Sequence, residues 1–178
     1  LGNSMPIRDM DMYGFAGGAP VRVATNRGAS GIDGCIATAV GWANGTGKPV
    51  TAVLGDLAAL HDINSLAMVG CADAPLILVV INNDGGGIFH FLPIAAFKDS
   101  FEEVFGTPHG LRFEHAAALF GLEYANPRTK PAFAEAYERA RESGFSTIIE
   151  VNTDREENLH VHRALQNSIT NTLDSGEI

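Results

Sequence analysis

The residues best suited to chemistry lie where apolar runs end. Residues 50–54 stop at Gly55-Asp56-Leu57, and residues 76–81 stop at Asn82-Asn83-Asp84-Gly85-Gly86-Gly87. Asn, Asp and Gly are turn formers, so a surface turn would account for the residue types. A ligand site would account for their pairing as well. A carboxylate from Asp56 and an amide oxygen from Asn83 suit Mg²⁺, a hard cation bound through few protein groups plus ligand phosphates. Gly85 can add its carbonyl, because no side chain blocks approach. A helix starting near Ala58 would aim free N–H groups at the same place and favour an anion such as phosphate. Taken alone, Asp56 could simply cap that helix; taken with the Asn pair and the glycines, it reads as part of a site.

Other motifs do not survive scrutiny. Gly45-Thr46-Gly47-Lys48-Pro49 has the wrong Gly spacing for a phosphate loop and carries Pro49 where Ser or Thr is needed. Gly28-Ala29-Ser30-Gly31-Ile32 is superficially like a hydrolase elbow, but Ile32 takes the second Gly position. His160 and His162 are two apart and share no helix face. His61, His90, His109 and His115 show no ligand spacing and read as structural or surface residues.

The elements that must position the site alternate strand and helix. Val21 and Val23 alternate as a short strand running into Asn26-Arg27-Gly28. Ile32, Cys35, Ile36, Ala39, Val40 and Ala43 follow at helical spacing. Asn44-Gly45-Thr46-Gly47 stops that helix, with Gly45 suited to a left-handed end. The strand at 50–54 leads to a helix at about 58–72, with Leu60, Asn64, Ala67, Met68 and Cys71 on one side. The strand at 76–81 leads to a long stretch, about 91–110, without periodicity, which reads as a functional loop with short helices. Phe113, Ala116, Ala117 and Phe120 mark a helix, 122–125 a strand, Phe133 to Ala140 a helix, 145–151 the last strand, and Leu159, His162, Leu165 and Ile169 a closing helix.

Unbroken Val/Ile/Leu strands alternating with helices belong to an α/β fold, an open parallel sheet with helices on both faces. Ligands then bind beyond the C-terminal strand ends. Three such ends, at residues 26–31, 55–57 and 82–85, would converge on one edge. The expected organisation is one domain over residues 1–170, lacking its first strand, and a frayed polar tail over 171–178.

Composition bounds the partners. The 178 residues are 46% hydrophobic and 19% charged, as in a globular domain. A net charge of −9, from 12 Lys and Arg against 21 Asp and Glu, argues against nucleic acid and anionic membranes. No apolar run approaches the roughly 20 residues of a membrane helix. Cys35 and Cys71 are too few for a disulfide framework and read as buried thiols in a reducing compartment.

Gly55-Asp56-Leu57, then 24 residues, then Asn82-Asn83 resembles the diphosphate-binding signature of thiamine-diphosphate enzymes. Leu57 stands where most of that superfamily has Gly. "GDLAALHDINSL" with "NNDGGGIFHFLP", preceded by "NRGASGIDG" and "GNSMPIRD", resembles the MenD family, the 2-succinyl-5-enolpyruvyl-6-hydroxy-3-cyclohexene-1-carboxylate synthases of menaquinone and phylloquinone biosynthesis. The resemblance covers nearly the whole chain and matches the C-terminal, diphosphate-binding third of such an enzyme.

The resemblance implies thiamine diphosphate with Mg²⁺ (or Mn²⁺) as cofactors. Asp56, Asn83 and the Gly85 carbonyl would hold the metal, with Gly55, Leu57, Ala58 and Gly86 around the diphosphate. Ser30, Gly31 and Ile32 would lie at the aminopyrimidine end. Asn3, Ser4, Arg8 and Arg27 would line a substrate pocket whose two guanidinium forks suit carboxylates. Ile88, Phe89 and Leu92 would form its apolar wall. The implied substrates are 2-oxoglutarate, which loses carbon dioxide, and isochorismate, which receives the four-carbon unit.

Two positions depart from the family pattern. Ala58 replaces a common Ser, and Asp84 replaces a common Asn beside the phosphate site. The carboxylate that activates the aminopyrimidine would come from a separate pyrimidine-binding domain, usually of a second subunit in a homodimer or homotetramer. The chain alone is therefore expected to be inactive, either as a fragment or as one polypeptide of a split enzyme. The bacterial cytoplasm and the plastid stroma both fit. A different thiamine-diphosphate decarboxylase or carboligase, and a non-catalytic cofactor-binding module, are the alternatives.

Overall fold

The computed structural model describes residues 1–14, 21–26 and 31–176. Its core is a sheet of four parallel strands, β1 (Val50–Gly55), β2 (Leu76–Asn82), β3 (Glu123–Ala125) and β4 (Thr147–Asn152), in the order β1-β2-β4-β3. Among the described residues the helices are α1 (Met5–Tyr13), α2 (Cys35–Thr46), α3 (Asp56–His61), α4 (Lys98–Phe101), α5 (Glu114–Phe120), α6 (Lys130–Ser143) and α7 (Arg155–Ser175). Alternate strand residues face opposite layers. Ala52, Leu54, Leu76, Leu78, Val80 and Ile148 pack under α2, α3 and α5. Ile77, Val79 and Ile149 pack with Val53, Val151, Phe133 and Tyr137 under α6. The expected α/β sheet with helices on both faces is present.

Several expected elements differ. Val21 and Val23 form no strand; they are 78% and 53% exposed, and residues 21–26 carry no ladder. This segment instead accepts hydrogen bonds, from the Leu1 backbone nitrogen to the Ala24 carbonyl (2.8 Å) and from the Asn3 amide to the Asn26 carbonyl (3.2 Å). The convergence of three strand ends therefore reduces to two, and residues 27–30 lie outside the described part. Helix α2 ends two residues later than expected, on left-handed Gly47 rather than Gly45.

The helix expected over 58–72 breaks at Asp62 into α3 and a 3₁₀ stretch, Ile63–Cys71. The cause is a competing use of Asp62. Its Oδ2 accepts the Ile36 N–H (2.6 Å) and Ala37 N–H (3.0 Å), capping α2 from a distance, and its Oδ1 takes the Ser65 hydroxyl. The break rotates the expected face. Leu66 and Val69 are buried, whereas Met68 and Cys71 are exposed, so only Cys35 is a buried thiol.

At the chain ends, α1 was not anticipated from its polar, Met-rich sequence. Pro6 sits in its first turn, where a missing N–H costs nothing, and the Gly2 N–H joins the Val53 carbonyl (2.8 Å). His162 of α7 is buried between Asp9 of α1 (Nε2 to Oδ1, 2.9 Å) and the Asn158 carbonyl (Nδ1 to O, 2.9 Å), and ties the two helices. Helix α7 carries through 171–175, and Leu165 and Ile169 of its expected apolar face are exposed. No described helix is long and apolar enough to cross a membrane.

A fully buried carboxylate, Glu150, closes the sheet at its C-terminal side. It accepts from the Asn82 amide (2.7 Å), the Phe113 N–H (3.0 Å) and the Tyr124 hydroxyl (2.6 Å). Burial alone would raise its pKa, but these donors reverse the effect and hold it below the ordinary Glu value. Burial, with Glu150 as acceptor, pushes the Tyr124 hydroxyl up to about 12 from 10.0. A phenol that holds its proton more tightly when folded stabilises the fold below pH 10 and loses that contribution as pH rises towards about 12. Urea unfolding midpoints of the wild type are thus expected to fall across this window, and those of Tyr124→Phe to fall less. Equal slopes would contradict the assignment. Glu150→Gln, which turns an amide donor towards donors, is expected to cost about 1–3 kcal/mol in the same measurement.

Candidate functional site

The two occupied strand ends lie side by side. Gly55 of β1 pairs in register with Ile81 of β2, so Asp56 and the 82–87 turn leave neighbouring strands. Asp56 is 2% exposed and opens α3. Its Oδ1 accepts the Leu57 N–H (2.7 Å) and its Oδ2 the Gly85 N–H (2.8 Å). The carboxylate and the glycine turn are thereby brought into direct contact.

The adjacent amides do different work. Asn82 is buried, with its amide nitrogen shared between Glu150 and the Leu111 carbonyl (3.1 Å) and its oxygen taking the Asp84 N–H (3.1 Å). Every polar atom of that side chain is engaged. Asn83 Oδ1 is buried without a hydrogen-bond partner among the described residues. Buried polar atoms in folded proteins are nearly always satisfied, so an unpaired acceptor on the turn that Asp56 holds through Gly85 calls for a ligand.

Backbone fit accounts for the glycines. Gly85 has φ +133°, a conformation that side-chain-bearing residues rarely adopt, and a Cβ there would overlap the Gly106 carbonyl. A Cβ on Gly86 would overlap the Phe105 carbonyl. The turn therefore packs against residues 105–107, and the Gly86 N–H donates to the Gly106 carbonyl (2.7 Å). Those residues lie in the stretch expected to be a functional loop, where α4 runs on into a π-helical turn, Glu102–Gly106. It is held from behind by Arg155, whose Nη2 donates to Glu102 Oε2 (2.8 Å).

Asp84 and His109 complete the cluster, and sequence reasoning missed both roles. Asp84 adopts φ 60° and accepts the Gly110 N–H (2.7 Å) and His109 N–H (2.9 Å) on Oδ1. The Gly110 N–H, aided by that of His109 and opposed by partial burial, holds the Asp84 carboxyl below the usual Asp range. His109, set aside for lack of ligand spacing, places Nε2 3.1 Å from Asp56 Oδ2. No spacing rule could have found a partner 53 residues away. Glu150 did carry a signal, as a lone acid inside the apolar run "TIIEV".

The remaining candidates are distributed around this centre. Ile88 and Phe89 lie in the 3₁₀ turn Gly87–Phe91, with Phe89 edge-on to Phe105 (5.3 Å), while Leu92 just beyond is 49% exposed. Ala58 is 4% exposed within the apolar core, and Leu57 is half-buried. Asn3 is buried, donates to the Gly31 and Asn26 carbonyls, and leaves Oδ1 unpartnered. Arg8 is exposed and its Nη1 donates to the Ser4 carbonyl (2.6 Å). Ile32 is half-buried against the core and Gly31 is exposed. Arg27 and Ser30 lie outside the described residues.

The acceptor set of Asp56, Asn83 and the Gly85 carbonyl could hold a hard cation. It is an incomplete set: among the described residues, no three His, Cys, Asp or Glu side chains form a metal cluster. Such a set suits an ion whose remaining ligands come from a bound phosphate.

Comparison with known proteins agrees with this chemistry. Residues 12–151 match the family described as "Thiamine pyrophosphate enzyme, C-terminal TPP binding domain". The chain is 58% identical over 163 residues to the 2-succinyl-5-enolpyruvyl-6-hydroxy-3-cyclohexene-1-carboxylate synthase of Rubrobacter xylanophilus, covering 92% of this chain and 28% of that protein. It is 50% identical over 175 residues to the synthase of the same name from Prosthecochloris aestuarii, covering 98% and 30%. The chain thus spans about three-tenths of the length of these curated relatives. Among solved structures, the thiamine diphosphate-dependent 4-hydroxybenzoylformate decarboxylase of Rhodococcus jostii RHA1 superposes with a TM-score of 0.52 at 24% identity, over 60% of this chain and 20% of that one, a likeness of fold. The chain belongs to the family of C-terminal TPP-binding domains of thiamine pyrophosphate enzymes, and within it is similar to the 2-succinyl-5-enolpyruvyl-6-hydroxy-3-cyclohexene-1-carboxylate synthases.

Proposed function

We propose that the chain is the diphosphate- and Mg²⁺-binding part of a synthase that decarboxylates 2-oxoglutarate and adds the four-carbon unit to isochorismate, in menaquinone or phylloquinone biosynthesis. The observation that carries the metal site is the buried, unpartnered Asn83 Oδ1 two residues before Gly85, whose N–H donates to buried Asp56. The identity of 50–58% to synthases of that name supports the reaction. Asp56, Asn83 and the Gly85 carbonyl would hold the divalent ion, Mg²⁺ or Mn²⁺; the space beside Gly86, expected to border the diphosphate, is filled by the Phe105 carbonyl.

Bound thiamine diphosphate supplies an electron sink for the loss of carbon dioxide from a 2-oxo acid. The chain's residues position and shield. On this reading Ser30, Gly31 and Ile32 would serve the aminopyrimidine end, Asn3 and Ser4 the substrate side, and the guanidinium forks of Arg8 and Arg27 would suit substrate carboxylates. Ile88 and Phe89, both partly buried, and the more exposed Leu92 give that side an apolar wall. The carboxylate that activates the aminopyrimidine comes from a pyrimidine-binding domain, of a second subunit in a homodimer or homotetramer. The compartment is the bacterial cytoplasm or the plastid stroma.

Calorimetric titration with thiamine diphosphate tests the binding site. Binding is expected with Mg²⁺ and lost with excess EDTA; metal-independent binding, or tighter binding of ATP, would refute the reading. Asn83→Ala is expected to weaken binding about ten- to a hundredfold, the usual scale for disturbing a metal's ligand environment. Asn82→Ala is expected to lower stability instead, through Glu150. Equal loss of cofactor affinity in both variants would mean the wrong amide has been assigned.

The purified 178-residue chain is expected to release no carbon dioxide from 2-oxoglutarate until the pyrimidine-binding domain is supplied. Release by the chain alone would refute the two-domain assignment. Failure of isochorismate as acceptor in the full assembly would redirect the reading to another carboligase.

A further inference from the structure

His109 has a fixed tautomer. The Leu111 N–H donates to its Nδ1 (3.0 Å), so Nδ1 is the acceptor and the ring proton lies on Nε2. The Nε2–H then donates to Asp56 Oδ2 at 3.1 Å. Nδ1 is 3.8 Å from Asp84 Oδ1, beyond hydrogen-bond range, so that carboxylate acts on the backbone of His109 rather than on its ring.

The consequence falls on Asp56. With Gly85 and His109 both donating, Oδ2 has two donors, whereas Oδ1 has, among the described residues, only the Leu57 N–H. A carboxylate oxygen has two lone-pair directions. His109 thus saturates one oxygen and fixes the rotation of the group, leaving the open lone pair on the other. Asp84 holds the ring in place by taking the His109 and Gly110 N–H groups, and it lies next to Asn83 in the chain. One short circuit of hydrogen bonds therefore runs from the residue beside Asn83 to the carboxylate of Asp56.

We infer that His109 is a positioning residue for the cation site, orienting Asp56 through its Nε2–H, with Asp84 as the anchor that sets its loop. The inference rests on the metal reading of Asp56 and Asn83 proposed above. On it, the departure at position 84 costs little, because Asp and Asn present the same acceptor oxygen to the 109–110 backbone.

The test is Mn²⁺ binding to the chain with thiamine diphosphate present, read by electron paramagnetic resonance of free Mn²⁺, beside thermal unfolding of each metal-free variant. His109→Phe keeps the ring volume and removes the donor; Mn²⁺ affinity is expected to fall about tenfold or more, the scale of an outer-layer partner. His109→Gln restores an N–H near the Nε2 position and is expected to recover most of it. Asp84→Asn is expected to bind within about twofold of wild type, and Asp84→Ala to lose as much as His109→Phe, with no further loss in the double variant. Melting temperatures of His109→Phe and His109→Gln should agree, so that the affinity split reports orientation rather than folding. Unchanged Mn²⁺ affinity in His109→Phe, or a Gln variant as weak as the Phe variant, would overturn the inference while leaving the metal site intact. Tighter binding in His109→Phe would also overturn it, because the ring would then be occupying the cation's place. No Mn²⁺ binding by the wild-type chain would refute the metal reading itself, and the inference with it.

Discussion

A carboxylate with no solvent contact must collect hydrogen-bond donors, and Glu150 collects them from three directions. An ion taken out of water without partners carries a penalty of several kcal/mol. The fold meets this constraint by bringing the end of β2 through Asn82, the start of α5 through Phe113, and the edge strand β3 through Tyr124 to one point on β4. Strand β3 has only three residues, too few to hold itself by its ladder alone. Its Tyr124 hydroxyl is its second attachment.

The same constraint shapes the site. The chain between Asn82 and Phe113 is a long excursion, and Glu150 fastens both ends of it. Loop closure of that length is entropically cheap per added residue, so the tether at its ends decides where it lies. Within the excursion, bare backbone at Gly85 and Gly86 lets residues 105–107 approach, and Asp84 gathers the 109–110 backbone. Asn82 serves the tether and Asn83 does not. Two adjacent amides, identical in composition, are separated by which face of the strand end each one leaves.

The sheet was legible in sequence because buried parallel strands read as unbroken apolar runs, and all four paired strands were found within a few residues. The meeting of two strand ends was legible where polar residues and glycines close an apolar run, as at Asp56 and Gly85, which hydrogen-bond to each other. What escaped was non-local. Asp62 breaks a helix because it caps another helix 26 residues earlier, which no local periodicity reveals. His109 meets a carboxylate 53 residues away. Val21 and Val23 alternate like a strand, but with no strand paired to them among the described residues, two valines do not make one. Met68 and Cys71 took the wrong face because one break at Asp62 changed the register of everything after it.

Charge orders the events at the strand ends. The chain carries a net −9, and both Asp56 and Asp84 belong to this cluster. Neither is ion-paired to Lys or Arg among the described residues; their partners are backbone N–H groups and the His109 ring. Those dipoles stabilise each carboxylate but do not cancel its charge. A diphosphate approaching the site alone would meet repulsion that, at a few ångströms and a low effective dielectric, amounts to kilocalories. A divalent cation reverses the sign of that encounter. On the metal reading, then, the acidic strand ends bind no anion in their own right: the cation is the condition for the anion, and the geometry of Asp56 governs affinity for both.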